Sequence, residues 1–184
     1  MGAYGCPAGA QLEGEPLLTT DYVDTYNGGC GESPNTAIQH LHGDENGELE
    51  FCGHAGCFPC GEEICRDTDW FAVYKADEEC RISGRALVST QLSQLTFDPA
   101  QRCSGPVTIT QTVELSEWET VTLDLAGDVG SEIWVSCVGL QGDHSFEYPY
   151  WLEFHGIGGV QTVSEEDPPP PSKTTWSSIK LMFR

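Results

Sequence analysis

Residues 107–113 read Val-Thr-Ile-Thr-Gln-Thr-Val, and this alternation decides the fold class. Successive side chains of a β-strand point to opposite faces of the sheet. The mostly apolar odd positions therefore share one face, and the threonines occupy the other. A mostly apolar face opposite a hydroxylated face is typical of a half-buried antiparallel strand.

The same alternation recurs along most of the chain after residue 47. Clusters of Gly, Pro, Asp and Ser separate the alternating segments and predict turns. Several short strands at this spacing indicate an all-β protein, an antiparallel β-sandwich or jelly roll. The one helical feature expected is a turn at residues 89–95. Strands are predicted at residues 49–52, 70–74, 85–89, 107–113, 120–125, 132–140 and 150–154.

The chain has 184 residues, which is enough for one domain with a proper core, and its composition is strongly acidic. Eight Lys and Arg oppose 29 Asp and Glu, for a formal net charge of -21. Such a surface repels phosphate backbones and anionic headgroups, so nucleic acid and membrane surfaces are not expected partners. No apolar run approaches the roughly 20 residues that a membrane-spanning helix needs.

Changes in composition divide the chain into four parts. Residues 1–47 form a loop-rich N-terminal wrap of the same domain, and residues 48–164 form the sandwich core. Residues 165–171 are an acidic and polyproline linker, which we expect to be extended and semi-rigid. Residues 172–184, called the tail below, hold three of the eight basic residues and none of the 29 acidic ones, so the tail carries +3 and the rest of the chain -24.

The tail combines basic and large apolar side chains, which suit an acidic, apolar groove on a partner. The partner is expected to be another copy of this chain or another extracellular protein, and a frayed segment is the alternative interpretation. The predicted partner-binding residues are Lys173, Trp176, Ile179, Lys180, Leu181, Phe183 and Arg184.

Nine cysteines are far more than a reduced intracellular domain usually carries, and they predict disulfides in an oxidising compartment. We expect an extracellular or cell-surface location, although residues 1–5 show no signal peptide. The favoured pairings are Cys30 with Cys52 and a bond closing the loop from Cys57 to Cys65. Because the number is odd, at least one cysteine is left over. The candidates are Cys6, Cys30, Cys52, Cys57, Cys60, Cys65, Cys80, Cys103 and Cys137.

Two metal centres are alternatives to disulfides. Cys52, Cys57 and Cys60 reproduce the C-x₄-C-x₂-C spacing of a plant-type iron–sulfur loop. A zinc site could draw on the same cysteines with Cys65 and His54, although a paired C-x₂-C frame is missing.

Two pairs of carboxylates are spaced two residues apart, Glu13 with Glu15 and Asp67 with Asp69. In an extended backbone each pair directs oxygens to one side, which is how loops build a calcium site. The alternative is a solvated surface, on which Asp67 caps a turn and Asp69 pairs with Arg66.

Several motifs, in order along residues 6–155, resemble those of the bacterial pre-peptidase C-terminal (PPC-like) domain family. They are Cys-Pro-Ala-Gly-Ala at 6–10, Glu-Gly-Glu-Pro at 13–16, Tyr-Asn-Gly-Gly-Cys at 26–30, Phe-Cys-Gly at 51–53 and Arg-Asp-Thr-Asp-Trp-Phe at 66–71. The resemblance implies a small, secreted, non-catalytic β-sandwich. It also implies calcium ligands from the Glu13/Glu15 segment and from Asp67 and Asp69. Leu17 and Leu18 depart from the family pattern after Glu-Pro.

No common catalytic motif is present: the five histidines form neither His-x-x-x-His nor His-Glu-x-x-His, and Gly-x-Ser-x-Gly is missing. We therefore expect no enzyme but a structural module that self-assembles through its tail. The alternative is an accessory module that binds a protein or carbohydrate, with Tyr148 and Trp151 stacking on sugar rings. Core packing is the other common fate of such aromatic side chains.

Overall fold

Two β-sheets pack face to face in the computed structural model, which describes residues 5–14, 27–28, 38–60, 62–97, 105–139 and 146–159. The predicted β-sandwich is thus confirmed. Within these ranges no helix is long and apolar enough to cross a membrane. The strands are β1 Gln11–Leu12, β2 Gln39–Leu41, β3 Leu49–Cys60, β4 Glu63–Arg66, β5 Thr68–Tyr74, β6 Arg81–Ala86, β7 Thr90–Thr96, β8 Thr108–Leu115, β9 Val121–Asp124, β10 Glu132–Gly139 and β11 Phe146–His155.

The first sheet, sheet A, has the order β1-β3-β11-β6-β9, with β4 also paired to β3, and sheet B has the order β2-β5-β10-β7-β8. Most pairs are antiparallel, but β1 with β3 and β2 with β5 are parallel. The sandwich is thus antiparallel, as predicted, except at these two edges. Both parallel strands come from residues 1–47, so the described parts of this segment belong to the same sandwich.

The core lies between the sheets because alternate residues of each strand point inward. In β11, Tyr150, Leu152 and Phe154 are buried between the sheets, whereas Glu153 is exposed on the outer face. Phe71 of sheet B packs edge to face against Phe51 of sheet A, with ring centroids 4.9 Å apart.

A second apolar cluster lies on the outer face of sheet B, where Trp70, Ala72 and Leu95 pack with Ile38. Residues 69–73 of β5 are therefore buried on both faces. Trp134 packs against this second cluster. This confirms that Trp134 faces away from its neighbours in β10, Ile133 and Val135, which point into the core.

A β-bulge interrupts the pairing of β8, the strand whose alternation indicated the fold class. The pairing of β7 with β8 shifts between Gln94 and Leu95, where Gln94 lies opposite Gln111 but Leu95 lies opposite Ile109. The extra residue reverses the side-chain alternation before it. Val113 consequently packs on the core, whereas Ile109 is 53% exposed, so the expectation that the odd residues of 107–113 share one face was wrong.

Candidate functional site

A groove crosses the outer face of sheet A, and its floor is built from two rows of side chains in register. In one row Glu50 of β3 lies opposite Glu153 of β11, which lies opposite Ser83 of β6. In the next row Trp151 lies between Cys52 and Arg85.

The N-terminal segment forms one wall of this groove. A disulfide joins Cys6 to Cys52 of β3, and β1 continues the same segment along β3. Pro7 and Ala10 of this wall, with Trp151 and Arg85 of the floor, line a depression of about 260 Å³. The wall is held in place by a covalent bond and a strand pair, so the depression is pre-formed.

A larger depression of about 690 Å³ continues along the same face and shares Glu50 and Glu153 with the first. Asp44 lies at its edge, where its carboxylate accepts hydrogen bonds from the backbone N–H groups of Asn46 and Glu48. These bonds, the one from Glu48 first, lower the pKa of Asp44. Glu48 also contacts the ring of His155.

The chemistry of the groove floor is polar and aromatic together. The Arg85 guanidinium lies 5.0 Å from the centroid of the Trp151 ring, within cation–π range. Glu50 and Glu153 are both exposed although they are directly opposed. Like charges directly opposite each other on neighbouring strands destabilise a sheet, so Glu50 and Glu153 do not contribute to the stability of the fold. The floor offers an aromatic face, hydrogen-bond acceptors and a guanidinium donor within two rows.

A buried polar network, called the Tyr150 network below, lies under the groove and links the two sheets. The Tyr150 hydroxyl lies 3.3 Å from Glu13 Oε2 and 3.0 Å from Asp69 Oδ2. Glu13 Oε1 accepts from the His54 backbone N–H at 2.6 Å and lies 3.1 Å from His54 Nδ1. Asn27 Nδ2 donates to Asp69 Oδ1 at 3.0 Å.

Gly53 makes room for this network. A Cβ at this position would lie 2.2 Å from the Tyr150 hydroxyl oxygen and 2.4 Å from Glu13 Oε2. Tyr150 lies opposite Gly53 in the strand register, so its ring crosses the space that a larger residue would fill. Glycine is required at position 53 because the Tyr150 ring and the Glu13 carboxylate approach its backbone closely.

The Tyr150 hydroxyl lies between two carboxyl groups, and their protonation determines the charge of the Tyr150 network. The Tyr150 hydroxyl has one hydrogen and cannot donate fully to both carboxylates, and a carboxyl group that carries a proton would complete the chain by donating to the hydroxyl oxygen. Burial raises the pKa of Glu13, although its contacts with His54 oppose the shift. Burial also raises the pKa of Tyr150, with the nearby charge of Asp69 as the second cause. A protonated Glu13 satisfies every hydrogen bond around the hydroxyl.

Glu13 should make stability depend on pH in a defined direction. The folded chain holds a proton on Glu13 more tightly than the unfolded chain does, so stability falls as pH rises from about 4.5 through the raised pKa. In Glu13→Gln the amide replaces the protonated acid, and this part of the decline should disappear. Urea unfolding of both proteins at several pH values measures the difference. Glu117→Gln, at an exposed position, is the control that should keep the decline, and an identical pH dependence in Glu13→Gln would contradict the assignment.

The predicted calcium residues are placed only in part. Glu13 and Asp69 approach each other on opposite sides of the Tyr150 hydroxyl, but Glu15 lies outside the described residues. Asp67 and Asp69 are 2% and 0% exposed, so the solvated-surface interpretation was wrong. Among the described residues, no group of three or more His, Cys, Asp or Glu is arranged to hold a metal ion. Calcium binding stays a prediction.

The cysteines are only partly oxidised. Cys52 bonds to Cys6, so its predicted pairing with Cys30 was wrong, and Cys30 lies outside the described residues, as does Cys103. Cys65 is also disulfide-bonded. Cys57 is a free, buried thiol, so the predicted disulfide that closes the loop from Cys57 to Cys65 was wrong too.

Cys80 and Cys137 are likewise free and buried, which corrects the expectation that they form disulfides. Burial raises the pKa of Cys80 to about 11 and that of Cys137 further. Such thiols are unreactive. Because Cys52 is oxidised, it is not available as a thiolate ligand, which removes the iron–sulfur and zinc sets built on it.

Tyr148 and Trp151 cannot form one stacking platform, because residues three apart in a strand point to opposite faces. Trp151 lies in the groove, whereas Tyr148 is 39% exposed on the other side of β11. The tail and its seven predicted partner-binding residues lie outside the described residues.

Sequence reasoning missed the groove residues Glu50, Glu153 and Arg85 and the network residue Tyr150. It named His54 only as a possible zinc ligand. The only available signal was the alternation of β11, which puts Trp151 and Glu153 on one face. No family model, curated protein or solved structure matches this chain, so its function has to be argued from the groove and the charge distribution.

Proposed function

We propose that this protein is a non-catalytic extracellular module that binds a carbohydrate in the groove of sheet A. The observation that carries the proposal is the combination of Trp151, Arg85 and the opposed Glu50 and Glu153 in one pre-formed groove. Sugar rings present apolar faces that stack on an aromatic side chain, and hydroxyl groups that donate to carboxylates and accept from guanidinium. A neutral polysaccharide fits best, since the net charge of -21 repels an anionic one.

Two features support binding rather than catalysis. The carboxylates in the groove, Glu50 and Glu153, are exposed, whereas catalytic acids usually act where water is excluded. The groups with raised pKa values, Glu13 and Tyr150, are buried under the groove, out of reach of a polymer. The Cys6–Cys52 disulfide supports an oxidising, and we propose extracellular, location.

Trp151→Ala should weaken carbohydrate binding strongly. Loss of a stacked indole removes about 2 kcal/mol, roughly 25-fold in Kd. Electrophoresis through native gels that contain xylan, a β-glucan or dextran measures the difference. The polysaccharide should retard the wild-type protein but not Trp151→Ala.

Trp118→Ala is the matched control for this experiment. Trp118 is 89% exposed and does not line the groove, so its loss should leave retention unchanged. Equal loss in both variants would indicate non-specific adhesion through tryptophan. Absence of retention on every polysaccharide would overturn the proposal.

A second candidate is self-assembly through the tail into an extracellular polymer or surface structure. The charge distribution favours it, because the tail carries +3 and the rest of the chain -24. Opposite charges attract one copy's tail to another copy's surface. This function requires a place on the sandwich that accepts the tail.

A further inference from the structure

β8 is the longest edge strand of the described sheets. The other strands with a free side, β1, β2, β4 and β9, have two to four residues, whereas β8 has eight. β8 pairs with β7 on one side and ends the order of sheet B on the other. An edge strand of this length presents a row of backbone N–H and C=O groups to a further strand.

The side chains of β8 do not protect this edge. Natural edge strands are blocked by charged side chains, above all Lys, by Pro, by a β-bulge or by being short. Of these features β8 has the bulge, between Ile109 and Gln111, so its regular edge runs from Gln111 to Leu115. Residues 108–115 contain neither Lys, Arg nor Pro, and most of them are exposed. Ile109, 53% exposed, adds an apolar contact beside the edge. The surface fits an extended segment with one apolar face.

The tail has the sequence pattern of such a segment. Its last residues alternate, with Ile179, Leu181 and Phe183 at odd positions and Lys180 and Arg184 at even ones. In a strand this puts three apolar side chains on one face and the two basic ones on the other. The acidic residues Glu114, Glu117 and Glu119, exposed at and just after the end of β8, complement the basic face.

We propose that the tail of one copy adds as a β-strand to the β8 edge of a second copy. Main-chain hydrogen bonds would supply affinity, and the apolar face of the tail would pack beside Ile109. Four consecutive prolines precede the tail. Proline runs are typically extended, semi-rigid spacers, which favours reaching a neighbour over folding back. Each copy offers one tail and one edge, so the contact is head-to-tail and builds an open chain. This inference rests on self-assembly through the tail and names the acceptor surface.

Face-specific substitutions in the full chain test the donor. Leu181→Asn removes the apolar face of the proposed strand, whereas Met182→Asn changes the other face and leaves its basic charge intact. Sedimentation velocity at about 0.1 mM, which populates contacts with a Kd in the micromolar range, should show oligomers for the wild type and for Met182→Asn and only monomers for Leu181→Asn. Equal effects of the two changes would overturn strand addition.

Edge substitutions test the acceptor. Ile109→Lys places a blocking charge on β8, whereas Val129→Lys changes an apolar residue of similar exposure in the loop after β9. Only Ile109→Lys should give monomers, with circular dichroism confirming that both variants are folded. A mixture of Ile109→Lys, which retains a donor tail, with Leu181→Asn, which retains an open edge, should form a 1:1 dimer.

The outcomes separate the two ideas. Deleting residues 172–184 should also abolish association. If deletion abolishes it but Ile109→Lys does not, or if the two monomeric variants fail to combine, self-assembly stands and β8 is not the acceptor. A wild-type protein that stays monomeric overturns both.

Discussion

Gly53→Ala should destabilise the protein by about 3–5 kcal/mol. The added Cβ would lie 2.2 Å from the Tyr150 hydroxyl oxygen and 2.3 Å from Tyr150 Cζ, so the ring must move. Its hydroxyl would then leave the buried carboxyl groups of Asp69 and Glu13 without this partner. Urea or thermal unfolding measures the loss.

Gly130→Ala is the control for this substitution. Gly130 has a φ of +87°, and a Cβ there meets nothing within 4 Å. Its cost should therefore be limited to backbone strain, about 1 kcal/mol. A Gly53→Ala protein as stable as Gly130→Ala would show that the Tyr150 network does not hold the sheets together.

Replacing both Cys6 and Cys52 by alanine should cost about 4 kcal/mol, the loop-entropy value for a sequence separation of 46. The same change should abolish carbohydrate retention in conditions where the protein is still folded, because the groove loses its fixed wall. Unfolding by urea and electrophoresis in polysaccharide gels measure the two effects separately.

Cys80→Ala is the matched control, since Cys80 is as buried as Cys6 but carries a free thiol. Loss of its sulfur should cost about 1–2 kcal/mol and leave retention intact. If the double variant binds polysaccharide as well as Cys80→Ala does, the N-terminal wall is not part of the binding site.

The strands that sequence predicted best are those with uninterrupted alternation between turn signals. β8, β9 and β10 lie within one or two residues of their predicted bounds. β6 was misplaced, because Gly84 interrupts its pattern at a position where Leu152 Cδ2 would lie 2.7 Å from an added Cβ. Close packing of a neighbouring strand is invisible in one sequence.

β7 was missed, and its segment was predicted as a helical turn. Leu92 and Leu95 are three apart, a helical spacing, and Ser93 and Gln94 between them suggest a polar surface. Both polar residues are in fact buried, and Gln94 Nε2 donates to the Ala126 carbonyl at 2.7 Å. Hydrogen bonds to a distant loop thus override the local pattern.

The candidate site was predictable only where a pattern lay within one strand. Trp151 was identified as a binding residue, but its partner Arg85 comes from a strand 66 positions earlier and depends on register. Glu13 and Asp69 were grouped as calcium ligands, from the spacing of the carboxylate pairs and from the family resemblance, and the hydroxyl between them was not foreseen. Register and the path of residues 5–14 are tertiary information that composition and spacing do not carry.

Cys57, Cys80 and Cys137 are thiols enclosed by a folded interior in a protein that also contains disulfides. While the fold is intact, oxidants cannot reach these sulfur atoms, and they persist in the reduced form. Once the chain unfolds in an oxidising medium, these three thiols can form disulfides with cysteines that are paired in the native protein. Such non-native disulfides would prevent refolding. The lifetime of the folded protein in an oxidising medium is then governed by how rarely the chain opens, which is a property of the barrier to unfolding rather than of the equilibrium.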